Sequence, residues 1–66
     1  MPAVVSIEYW WDRLSRQWII QMKDAEGNQV GEAEYAPNKG RLAPALQRLQ
    51  EKYGARPFNG RVAKGN

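Results

Sequence analysis

A chain of 66 residues with 42% hydrophobic and 26% charged side chains has room for one small domain, which buries only about 60% of the surface its unfolded form exposes. It contains no cysteine and no histidine, so disulfides and thiolate metal sites are excluded and the commonest neutral-pH general base and metal ligand is missing. Enzymatic activity, a cofactor and a metal are therefore not expected, whereas the net charge of +3 directs attention to polyanionic partners and to where the charges lie.

From the N-terminus, residues 4–11 are β-branched and aromatic with alternation: Val5, Ile7, Tyr9 and Trp11 on one side, Val4, Ser6, Glu8 and Trp10 on the other. This pattern predicts a strand. Residues 17–23 repeat it, with Trp18, Ile20 and Met22 alternating against Gln17, Ile19, Gln21 and Lys23. Between them Asp12-Arg13-Leu14-Ser15-Arg16 holds turn formers but no glycine, which predicts a loop of about four or five residues rather than a primed two-residue turn. Asp24-Ala25-Glu26-Gly27-Asn28 reads as a tight hairpin. Residues 29–35 form the weakest predicted strand, because Gly31, Ala33 and two glutamates dilute Val30 and Tyr35, and it is expected at a sheet edge.

After Tyr35 the period changes, and Leu42, Ala45, Leu46, Leu49 and Tyr53 recur at helical spacing. Pro44 is best tolerated in a first helical turn, so the helix is expected to start near residues 41–43 and to end at Gly54. The predicted fold is α+β: a three-stranded antiparallel meander packed on one C-terminal helix (β-β-β-α) over residues 1–54, followed by a flexible, disordered basic tail at 55–66. Residues 1–54 carry as many acids as bases, so the excess charge resides in Arg56, Arg61 and Lys64. No apolar run approaches the roughly 20 residues of a membrane span, no membrane association is expected, and MPAVVSIEYW lacks the pattern of a secretory signal. A cytoplasmic location is the expectation.

A meander sends alternate connections to opposite ends of its sheet. Arg13 and Arg16 of the first loop therefore share an end with Lys39 and Arg41 of the helix start, and Asp24 and Glu26 fall at the other. The unpaired N–H groups of the helix start add to an environment suited to phosphate. Trp11 and Trp18 are expected to anchor the sheet to the helix, and Trp10, on the opposite face, to be exposed for stacking.

The succession of strand, Arg-bearing loop, the Trp-led strand and hairpin WIIQMKDAEGNQ, short third strand and amphipathic helix resembles the DNA-binding domains of tyrosine-integrase N-terminal regions and plant APETALA-type factors over about residues 5–53. The resemblance implies a sheet that enters the major groove, a helix behind it, and contacts from Trp10, Arg13, Arg16, Trp18, Gln21 and Lys23. The expected function is a small non-enzymatic nucleic-acid-binding module, with DNA the expected target. Its candidate residues are Trp10, Arg13, Arg16, Gln21, Lys23, Lys39, Arg41, Arg56, Arg61 and Lys64. The alternative is a protein-interaction adaptor or homodimer in which strand 29–35 pairs with a partner strand, anchored by Trp10 and Ile19.

Overall fold

The alternation in the first two segments becomes a regular antiparallel ladder in the computed structural model, which describes residues 3–60. β1 (Ser6–Asp12) pairs with β2 (Gln17–Lys23), setting Ile7 opposite Met22, Tyr9 opposite Ile20 and Trp11 opposite Trp18. Side chains two apart share a face, so these six line the inner face, and Ile7, Ile20 and Met22 are buried there. Val4, just before β1, also enters the core, while Val5 is exposed, so the alternation changes phase at the strand start.

The predicted third strand is only partly a strand. Gln29 makes an isolated bridge to Lys23, and the ladder resumes only at β3 (Glu34–Ala36), which pairs with β2. Gly31 intervenes with φ of 72°, a left-handed conformation that glycine adopts without the Cβ penalty of other residues and that takes the chain off the ladder. Ala36, opposite Trp18, is buried.

Helix α1 (Lys39–Tyr53) begins two to four residues before the expected point, because Asn38 caps it. The Arg41 N–H donates to Asn38 Oδ1 at 3.0 Å and the Leu42 N–H to the Asn38 carbonyl at 3.0 Å, a cap that contributes about 1 kcal/mol. Pro44 therefore sits in the second turn, where it forgoes one helical hydrogen bond. Gly54, at φ of 74°, closes the helix, its N–H donating to the Gln50 carbonyl at 2.7 Å. The helix packs on β2 and β3, and Leu42 and Leu49 join Val4, Ile7, Ile20, Met22, Ala36 and Ala55 in the core. Ile7, Ile20 and Leu49 are fully buried, each contributing about 1.5–3 kcal/mol by removal of apolar surface from water.

The chain does not end in a tail directly after the helix. Ala55 is buried, and β4 (Pro57–Asn59) runs parallel to β1, with Pro57 opposite Ile7 and Asn59 opposite Tyr9. The fold is thus α+β with a mixed four-stranded sheet of order β3-β2-β1-β4, in place of a three-stranded meander ending in a helix. The composition of residues 55–60 concealed this, because the free edge of β1 supplies the partner that so short and polar a segment needs. Gly60 is buried against Glu8, whose carboxylate occupies the space a Cβ would need. No helix among the described residues is long and apolar enough to cross a membrane.

Since β4 covers the outer edge of β1, ending the chain at Arg56 is expected to lower the unfolding free energy by about 2 kcal/mol, read as a lower urea midpoint. An unchanged midpoint would show that residues 57–66 contribute nothing to the fold.

Candidate functional site

The first loop is built on Asp12. Its carbonyl accepts from the Arg16 N–H at 2.8 Å, and its carboxylate accepts from the Ser15 hydroxyl and, at 3.4 Å, from the Leu14 N–H. Asp12 pairs with Gln17, leaving Arg13–Arg16 as a four-residue loop whose last member takes φ of 56°. Arg16 thus adopts the left-handed conformation for which glycine is the default, at a cost of roughly 1 kcal/mol. Both arginines are exposed.

The start of α1 lies at the same end of the sheet, because β3 runs toward it: Ala36 pairs with Trp18, next to Gln17. Lys39 and Arg41, in the first helical turn, are exposed as well. Among the described residues, ion pairs join Lys23 to Glu8 at 3.0 Å and Arg48 to Glu34 at 2.6 Å, both away from this end, where all four cations are exposed. Asp24 and Glu26 occupy the opposite end, where Asp24 accepts from the N–H groups of Glu26 and Asn28.

An aromatic cluster adjoins the basic end on the inner face. Trp18 lies 6.0 Å from Tyr9 and 5.6 Å from Trp11 between ring centroids, the latter pair edge-on at 66°. Such contacts add about 0.5–1.5 kcal/mol each beyond area burial. Between this cluster and the first half of α1 runs a groove of about 350 Å³, floored by Tyr9, Trp18, Leu42, Ala43 and Leu46. Lys39 and Asn59 supply its polar groups.

Trp11 was expected in the core, yet it is 39% exposed. The reason is coverage: α1 packs over β2 and β3, and β4 pairs only with Ile7, Glu8 and Tyr9 of β1, so Trp11 extends past both. Trp10 was expected to be the exposed ring and is half-buried on the outer face, opposite Ile19, which in turn pairs with Tyr35. Gln21 is also on that face, donating to Gln29 at 2.9 Å, and Lys23 is tied to Glu8. A shallow hollow of about 480 Å³ includes Trp10, Ile19, Gln21 and Tyr35, with Glu32 supplying an acid.

The structure therefore places Arg13, Arg16, Lys39 and Arg41 at the same end of the sheet, and separates them from Trp10, Gln21 and Lys23 on the outer face. Arg56, exposed just before β4 and pairing begins at Ile7, lies toward the acidic end. Arg61 and Lys64 lie outside the described residues. Tyr9, Leu46 and Asn59, which line the groove, were not among the sequence candidates; the alternation had placed Tyr9 beside Trp11, and the remaining signal required knowing where the helix lies. No family model, curated protein or solved structure matches the chain.

Acrylamide quenching of tryptophan fluorescence checks the arrangement. Of the three single Trp→Phe variants, Trp11→Phe is expected to reduce the quenching constant most; a larger reduction from Trp10→Phe would contradict the coverage described above.

Proposed function

We propose that this protein is a small non-enzymatic nucleic-acid-binding module that holds backbone phosphates with Arg13, Arg16, Lys39 and Arg41. The observation that carries the reading is the convergence of these four exposed cations, from two separate segments, at one end of the sheet beside an exposed tryptophan. Phosphates bind such clusters chiefly by displacing condensed counterions. The backbone of Arg16 supports the reading further: a long cation stands where the local geometry favours glycine, as occurs where strain is tolerated for a functional side chain. The neighbouring acid, Asp12, is engaged in organising the loop through Ser15 and Leu14.

Pairing of a partner strand along residues 29–35 draws less support. Gly31 interrupts that segment, Pro37 follows β3 immediately, and only three residues form the edge strand; such short, broken edges are poor templates for strand addition.

If all four cations contact phosphates, the logarithm of the binding constant falls against the logarithm of salt with a slope of about −3 to −4. Replacing Arg13 and Arg16 by alanine is expected to halve that slope roughly, whereas Arg56→Ala, at the other end, leaves it nearly unchanged; equal effects of the two substitutions would sink the proposal. Arg16→Gly is expected to raise unfolding free energy by about 1 kcal/mol while weakening binding. A variant that is stabilised with undiminished affinity would remove Arg16 from the site.

A further inference from the structure

We infer that the ligand of this end is single-stranded nucleic acid, with an unpaired base stacked on Trp11 and directed toward the adjoining groove. The inference rests on the phosphate-binding reading and adds to it the state of the strand.

A duplex keeps its base faces against one another and offers a protein only base edges and its backbone. The sheet's outer face, the surface suited to lying in a major groove, has its one strand lysine paired with Glu8 and carries Glu32 at its margin. On α1, Arg48 is engaged by Glu34, and Gln47 donates to Glu51. The strand lysine of the outer face is thus already engaged, and the other exposed cations of α1 lie at its two ends, Lys39 and Arg41 at the basic end and Lys52 at the other, so among the described residues neither surface presents a row of cations along a groove.

The basic end offers something different. Trp11 is 39% exposed and makes an edge-type contact with Trp18, 5.6 Å between centroids, which restrains an aromatic ring that is partly in water. Every base has a π-face, so stacking needs a base that is unpaired and is tolerant of sequence. The groove beside Trp18, about 350 Å³, is at the small end of the range for ligand pockets, roughly 300–1,000 Å³. It suits a planar ring rather than a strand or helix of a partner. Charge complementarity selects the occupant: Lys39 lines the groove, and beyond Asp12, which is bonded to Ser15 and Leu14, Arg13 and Arg16 stand exposed in the loop that follows Trp11, so a base stacked on Trp11 carries its flanking phosphates toward cations.

The test compares a labelled short oligothymidylate with a duplex of the same length by fluorescence anisotropy at low salt, for the full chain and for Trp11→Leu and Trp11→Phe. Leucine keeps apolar bulk without a π-face, and phenylalanine restores a ring. The single strand is expected to bind at least about tenfold more tightly than the duplex. Trp11→Leu is expected to lose about tenfold for the single strand with little change for the duplex, and Trp11→Phe to recover most of that loss. Coincident urea midpoints for the three proteins establish that the fold is retained; if the leucine variant is destabilised, the phenylalanine variant and the strand preference of the unmodified chain decide the matter. Duplex binding as tight as single-strand binding, or single-strand binding insensitive to Trp11→Leu, overturns the inference and leaves phosphate binding standing. Absence of binding to either nucleic acid overturns both.

Discussion

Cross-strand pairing of Ile7 with Met22, Tyr9 with Ile20 and Trp11 with Trp18 determines which side chains meet the helix and which meet water. A one-residue slip of this register would carry the whole set to the other face, placing Glu8, Gln21 and Lys23 beneath α1 and Ile7, Ile20 and Met22 in solvent. The same pairing fixes the turn at Asp12–Gln17, and with it the position of Arg13 and Arg16. Core and candidate site are therefore two consequences of one ladder.

The helix completes only part of what the ladder begins. It packs over β2 and β3, while β4 extends the sheet beside β1 as far as Tyr9. In so small a domain, one helix of 15 residues lacks the width to cover four strands, since a helix with its side chains is about 10–12 Å across and strands lie about 4.8 Å apart. The uncovered remainder is the aromatic groove, and it borders the end at which the cations gather.

Much of this was legible in the sequence because it depends on local periodicity. The first two strands follow from alternation, the glycine-free first loop from its composition, and the joint placement of Arg13, Arg16, Lys39 and Arg41 from the reversal of direction in a hairpin. What escaped depended on partners distant in sequence. Pro57–Asn59 has little strand propensity and becomes β4 only because β1 has a free edge. The exposure of Trp11 depends on the lateral position of α1, which the helical period does not encode. The start of α1 is set by the cap at Asn38, whose side chain and carbonyl both accept hydrogen bonds from the first turn, and not by Pro44, which the second turn accommodates.

We propose one end of the sheet, defined by Trp11, the Arg13–Arg16 loop and the start of α1, as the binding surface. Amide and indole N–H chemical shifts followed during titration with an oligonucleotide test it most directly. The Trp11 indole and the amides of Arg13, Arg16, Lys39 and Arg41 are expected to shift together on one binding curve, while Asp24, Glu26, Gly27 and Arg56 stay in place. Shifts concentrated on Trp10, Gln21, Gln29 and Tyr35 of the outer face would contradict it.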